Sequence, residues 1–317
     1  MPITPQKIVF WQKLAISIVA VCLSCERAFA DSAIDSAEIY RVRNQVELNR
    51  GNTNWKPAQT GDTVVPQDSV KTGANSRAEL LFNEGTLVRT AAGTVFRFPL
   101  GKRRFELTSG AALIMIRPQQ GESTIVTPEA RIVTQGTALF VRHDRQRNAS
   151  LVGVLTESPA GLVKVKNANG EIAIELQAGQ FVSIVNGVIG LVEYFVLPMF
   201  YETTELAVGL ATGQENALDR ESPEVRATIE AIRAEAINPL QNQLAWLGSF
   251  CQFNLNPDDW RPFLQLLGVN LPSQPLQLQT ATTDDLFVVP LRSLEGLSWL
   301  SNYCQVKPQS LNPLKNR

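Results

Sequence analysis

The sequence predicts a mainly β protein, a twisted β-sandwich or a β-solenoid-like stack of short strands, followed by a small α-helical C-terminal region. Three observations predict it. From Ile39 to about Val185, turn signals recur every 8 to 12 residues or so between short apolar segments. Within those segments apolar and polar residues alternate with the two-residue period of a half-buried strand. After Gly213 the period lengthens to about 3.6, that of a helix.

The N-terminus reads as an export leader. Lys7 and Lys13 precede an apolar stretch from Leu14 to Leu23, and Ala28-Phe29-Ala30 supplies a small-x-small cleavage site at Ala28 and Ala30. The leader is expected to span 1–30 and the mature chain to begin at Asp31, in the periplasm or outside the cell. An uncleaved leader acting as an anchor is the open alternative. The apolar stretch is shorter than the roughly 20 residues of a bilayer span, so no transmembrane helix is expected in the mature chain.

The β-domain is assigned to 31–186. In Ser76-Arg77-Ala78-Glu79-Leu80-Leu81-Phe82, Ala78, Leu80 and Phe82 share one face, while Arg77 and Glu79 are expected on a solvated one. Asn83-Glu84-Gly85-Thr86 then supplies a tight turn, in which Gly85 can take a positive φ. Strands are expected at Leu87–Arg89, Val95–Phe98, Phe105–Thr108, Ala111–Arg117, Thr124–Thr127, Arg131–Thr134, Ala138–His143, Ser150–Thr156, Leu162–Lys166, Glu171–Leu176 and Gln180–Val185. Gly93, Gly101, Gly110, Gly121, Gly136, Gly161, Gly170 and Gly179 stand between them as reversals.

The stretch 187–213 contains an apolar run from Val188 to Phe200, broken by Glu193 and Pro198. It reads either as a docking strap or linker, or as a last strand of the β-domain. The helical C-terminal region is assigned to 214–317. Ser222-Pro223 is a cap with proline at the first helical position, and Val225, Ile229, Ile232 and Ala236 form one stripe. Asn238-Pro239 is expected to end that helix and start another with Leu240, Leu244 and Leu247. A third start is read at Asn256-Pro257-Asp258-Asp259, before Trp260, Phe263, Leu264 and Leu267. Trp246, Phe250, Phe253, Trp260 and Phe263 read as helical core, with a docking groove as the alternative.

Once the leader is removed, Cys251 and Cys304 are the remaining cysteines. In an oxidising compartment they are expected to form a disulfide, and a pair of buried free thiols is the alternative. A net charge of -1 argues against nucleic acid as a partner.

His143 is the one histidine in the sequence, and Asp144 follows it directly. Adjacent strand residues point to opposite faces, so a base oriented by its neighbouring carboxylate is not expected, and a surface histidine is. Asp258-Asp259 is explained by a helix start rather than by glycosidase chemistry. The sequence contains no phosphate-binding loop, dinucleotide fingerprint, zinc spacing or nucleophile elbow. The expectation is a non-catalytic protein without cofactor or metal. Arg41, Arg43, Arg77, Arg89, Arg97, Lys102, Arg103, Arg104, Arg117 and Arg131 read as the solvated side of a sheet, or as a basic stripe for an acidic glycan.

Several ordered blocks resemble the FecR domain of bacterial envelope proteins. Gly61-Asp62, followed by a strand and by Thr72-Gly73-Ala74-Asn75-Ser76, is similar to the family's Gly-Asp turn and Thr-Gly element. Asn83-Glu84-Gly85-Thr86 stands where the family often has Asp-Gly-Ser or Asp-Gly-Thr. Thr127-Pro128 and Gly136-Thr137-Ala138-Leu139-Phe140-Val141 are similar to its Thr-Pro and Gly-Thr-x-Phe-x-Val elements, with Phe140 shifted by one residue. Gly179-Gln180 is similar to the Gly-Gln that closes the pattern, so the resemblance runs from about 39 to 186. It implies a β-rich domain outside the cytoplasm that works through protein contacts. In the iron-uptake regulators of the family, a cytoplasmic segment and a membrane span link such a domain to a sigma factor. Only a few residues precede the apolar stretch here, so an anti-sigma role is not expected to transfer. The implied partner is an envelope protein, with a cell-wall glycan such as peptidoglycan as the alternative.

Overall fold

Alternation of buried and outward residues shapes the described part of the chain from its first strand. The structure is a computed structural model that describes residues 33–252 except 52, 102 and 212, with 249–252 described as backbone alone. The described residues fall within one compact unit beginning at Ser32. The leader, the third expected helix and Cys304 lie outside the described residues.

The strands, in chain order, begin with β1 (Ala37–Arg43), β2 (Val46–Asn49), β3 (Trp55–Pro57), β4 (Thr63–Val64), β5 (Ser69–Thr72) and β6 (Arg77–Phe82). Next come β7 (Leu87–Thr90), β8 (Val95–Arg97), β9 (Arg104–Met115), β10 (Ser123–Val126), β11 (Ala130–Thr134) and β12 (Ala138–Asp144). The last are β13 (Ala149–Val154), β14 (Val163–Asn167), β15 (Ala173–Leu176), β16 (Gln180–Val185), β17 (Val188–Ile189) and β18 (Glu193–Tyr194). Two α-helices follow, α1 (Leu197–Thr203) and α2 (Pro223–Gln252).

Pairing arranges the strands in two layers. Sheet I runs β4-β1-β6-β7-β9-β12-β13-β16, with β17 and β18 both on the far side of β16. Sheet II runs β3-β2-β5-β8-β9-β10-β11-β14-β15. Every pairing is antiparallel except β9 with β10.

Strand β9 belongs to both sheets. Its first half pairs with β8 and β10, and from Gly110 onward it pairs with β7 and β12. The expected reversal at Gly110 is therefore corrected: the glycine lies inside one twelve-residue strand and marks where it crosses between layers. Gly110 has φ +78°, and a Cβ there would lie 2.4 Å from Thr94 Cα, so neither the turn nor the close approach admits a side chain.

The main core fills the space between the sheets. Phe82 packs on Phe105 at 5.0 Å and on Phe98 at 5.2 Å between ring centroids, edge to face, as aromatic quadrupoles favour. The other face of sheet I is apolar too. Ala112 and Ile114 enter the main core, whereas Leu113 and Met115 enter a second one with Phe140, Phe200, Leu206, Val225 and Ile229. Burial on both faces explains why Ala111–Ile116 reads as a continuous apolar run rather than an alternating one.

This second core corrects the solvated face expected for β6. Arg77, Glu79 and Leu81 are half-buried, and they point toward the C-terminal segment that packs on sheet I. Strands β17 and β18 extend sheet I, and α1 then lies over the second core.

Helix α2 begins as its cap signals predict, with Ser222 Oγ accepting the Val225 amide at 3.3 Å. The expected break at Asn238-Pro239 is corrected, because α2 continues through Pro239 to Gln252. Proline removes one helical hydrogen bond, but the chain is pinned on both sides of it. Ile232 and Ala236 are buried before the proline. Beyond it, Gln243 Oε1 accepts the Leu197 amide at 2.7 Å and its Nε2 donates to Phe195 O at 2.8 Å.

Candidate functional site

The residues singled out by the sequence blocks are joints of the scaffold. Gly61 donates its amide to Ile39 O at 2.9 Å, and Asp62 Oδ2 accepts the Gln59 amide at 2.8 Å, which ties this turn to β1. Thr72 Oγ1 donates to Ala91 O at 2.6 Å and accepts the Thr94 amide at 2.9 Å, while Gly73 donates to Gln45 O at 2.9 Å. Thr86 is fully buried, with its amide on Glu84 Oε2 at 2.9 Å. Thr127 Oγ1 accepts the Ala130 amide at 2.9 Å across the turn at exposed Pro128. Gly136 sits in the bend before Thr137, whose Oγ1 donates to Thr156 O at 2.7 Å. Gly179 donates to Val154 O at 2.8 Å, and Gln180 Oε1 accepts the Gln177 amide at 3.1 Å. A short hydroxyl supplies the donor or acceptor that a strand loses where its ladder stops.

Two of these turns meet at a cleft. Gly61 and Gly85 line a depression of about 450 Å³ together with Glu38, Glu84, Arg117 and Glu224. Arg117 is already committed there, donating from Nε to Thr228 Oγ1 at 2.8 Å and from Nη2 to Glu224 O at 2.8 Å. A Cβ on Gly85 would stand 2.5 Å from the Arg117 guanidinium carbon. Gly85 thus lets the guanidinium reach α2.

Arginines make most of the polar contacts between sheet I and the C-terminal segment. Arg89 is 4% exposed, and its Nη1 donates to Leu206 O at 2.9 Å and Val208 O at 2.6 Å. Arg41 bridges Glu79 and Glu221, each at 2.9 Å. Tyr40 donates its hydroxyl to Glu221 Oε2 at 2.9 Å and accepts the Ser222 amide at 2.9 Å. Arg43 and Arg77 both reach Glu205.

The solvated-side reading is corrected for Arg89, which is buried, and for Arg77, which is half-buried, since C-terminal carbonyls and carboxylates of the chain occupy that face; Arg41 and Arg43 remain exposed while pairing with it. Arg103 is also fully buried, with Nε on Ser123 Oγ at 3.1 Å. Composition could not separate these cations from surface ones. The nearest signal is that Arg89 stands inside the apolar strand β7.

His143 is corrected from a surface to a buried residue, 4% exposed. Its Nδ1 lies 3.0 Å from Ser150 Oγ, which is 2.7 Å from Thr127 Oγ1. Burial pushes the imidazole below its ordinary pKa, against the pull of the Glu129 carboxylate. Asp144 turns away and accepts the amides of Gln146 at 2.9 Å and Arg147 at 3.2 Å, so the two residues do not form an oriented pair. Glu235 of α2 brings Oε2 to 3.5 Å from Thr156 Oγ1, and burial pushes its carboxyl up to about 7. Among the described residues no three His, Cys, Asp or Glu side chains are grouped to hold a metal, and no helix is long and apolar enough to cross a membrane.

Residues 68–158 match the family model described as FecR protein, which bears out the resemblance read from the sequence. The matched span covers β5 to β13, including the crossing strand. No curated protein matches the chain. Two crystal structures of a provisionally assigned anti-sigma factor from Parabacteroides distasonis ATCC 8503 are similar in part. They show 22% and 21% identity, each with a TM-score of 0.35, and cover 40% of this chain and 59% of that one.

Proposed function

We propose that this chain is an exported, non-catalytic envelope protein whose FecR-like β-domain binds a protein partner and relays a signal. The observation that carries the proposal is the FecR match over 68–158, a span whose recurring residues serve the scaffold rather than a reactive centre. A module of this kind acts through surface contacts. The packing of the C-terminal segment on sheet I supports a relay role, because an apolar seat shared with the sheet is latched by charged and polar contacts. A partner that shifts these contacts would change how the segment sits on the sheet.

Export and partner binding are tested separately. Mass spectrometry of the native protein should find its N-terminus at Asp31, and peptide mapping without reduction should find Cys251 joined to Cys304. A cytoplasmic protein with its leader intact and both thiols free would refute export. Crosslinking and capture of the mature protein at endogenous abundance should recover one specific envelope protein. Repeated recovery of peptidoglycan fragments instead would favour a wall-bound role.

A further inference from the structure

The exposed face of sheet II carries a surplus of cations in a chain whose net charge is -1. On the outward positions of β8, β9, β10, β11, β14 and β15, Arg97, Arg104, Arg131, Lys164 and Lys166 stand against Glu106 and Glu175. The arrangement is tightest at β11 and β14. Arg131 is the direct cross-strand partner of Lys166, and Lys164 lies two residues back on the same face, opposite Glu175 of β15. Arg131 and Lys164 are exposed and Lys166 is half-exposed, and none of the three makes an ion pair or side-chain hydrogen bond among the described residues.

Like charges directly opposed on a sheet repel, so this pairing works against the fold. Elsewhere the chain neutralises its strand cations itself: Lys71 is paired with Glu47 on the neighbouring strand, Arg41 with Glu79, and the directly opposed Arg43 and Arg77 share Glu205. The face is also rigid, because Val165 and Ile132 beneath the cations are fully buried in the main core.

We propose that this face of sheet II docks an acidic, extended segment of a partner protein. The fit rests on charge and on spacing. Side chains two residues apart on a strand are separated by about 6.6 to 6.8 Å, so Lys164 and Lys166 present ammonium groups at the repeat of alternate side chains in another extended chain. Carboxylates at every second position of such a chain would meet them in step, with Arg131 about 5 Å across the strand pair as a third contact. Val126 and Val133, outward and half-buried, offer apolar surface to the methylenes between the carboxylates. The partner neutralises the repulsion that the free face carries. The inference names the chemistry of the partner and to that extent rests on the binding role proposed above.

The test uses the full mature chain and a labelled 12-residue peptide of alternating Glu and Thr, read by fluorescence anisotropy. A Lys-Thr peptide, polygalacturonate and vesicles of one part phosphatidylglycerol to three parts phosphatidylcholine serve as comparisons. The Glu-Thr peptide should bind, weaken as salt is raised, and lose at least tenfold in affinity with R131S/K164S/K166S. The same variant should melt at an equal or higher temperature, which separates lost docking from lost folding. Binding within twofold of wild type in that variant, or retention by vesicles or polygalacturonate in preference to the peptide, would overturn the proposal. Should the variant still capture the envelope partner of the wild-type protein, the assignment of this face fails while the relay role stands.

Discussion

Arg89 Nη1 donates to the carbonyl oxygens of Leu206 and Val208, at 2.9 and 2.6 Å, across 117 and 119 residues of sequence. One buried guanidinium thereby fixes the segment after α1 to the middle of sheet I. Glu79 Oε2, 3.4 Å from Arg89 Nε, supplies the compensating charge.

Replacing Arg89 by alanine should therefore cost about 3 kcal/mol, because two carbonyls lose their donor and half-buried Glu79 is left with Arg41 as its remaining cation. R89K should recover only part of the loss, since an ammonium cannot reproduce the planar fork. Hydrogen exchange should quicken in 197–210 for R89A and stay near wild type in β10 and β11. An unchanged melting temperature would show that the contact contributes nothing.

Gly110→Ala is expected to destabilise the fold by about 2 to 4 kcal/mol, since it adds a Cβ 2.4 Å from Thr94 Cα in a left-handed backbone conformation. Gly161→Ala has a positive φ of 120° but nothing within 4 Å of the new atom, so it should cost less. Denaturant midpoints of the two variants give the comparison, and equal losses would remove the crossing point's special role.

Glu235 should make stability fall as pH rises. Its folded pKa of about 7 exceeds the unfolded value of 4.5, so its stabilising share is complete below 4.5 and is lost as pH climbs through 7. The group is half-exposed, and solvent screening reduces the effect to about 1 kcal/mol. Glu235→Gln keeps the shape without the charge and should flatten this part of the stability-pH curve. A curve unchanged by the substitution would contradict the assignment.

His143 works in the opposite direction. Its folded pKa lies below the unfolded value of 6.5, so its share of stability is present above 6.5 and is lost as pH falls toward the folded pKa. Titrating the imidazole by NMR should give a midpoint below 6.5. His143→Gln should remove that acid-side dependence while lowering stability at every pH through the disturbed contact with Ser150.

The FecR-like blocks were legible because each is local. Gly61, Thr72, Thr127 and Thr137 close turns or end strands through partners a few residues away in the chain or one strand over in the sheet, and such geometry imposes residue types that a sequence displays. The candidate site was less legible. Arg89, Arg103 and His143 look like ordinary polar residues, yet each is buried, and Arg89 is met by the segment after α1, far along the chain.

The sequence by itself determined the β class, the alternation that builds the main core and the Ser222-Pro223 start of α2, since period and capping act over a few residues. Tertiary structure alone decided that β9 joins two sheets at Gly110, that α2 runs on through Pro239, and that the second face of sheet I is dry. Those outcomes turn on which distant surfaces meet: an apolar stripe at Val225, Ile229 and Ile232 is the same stripe whether or not a sheet lies opposite, and only the sheet's presence buries it.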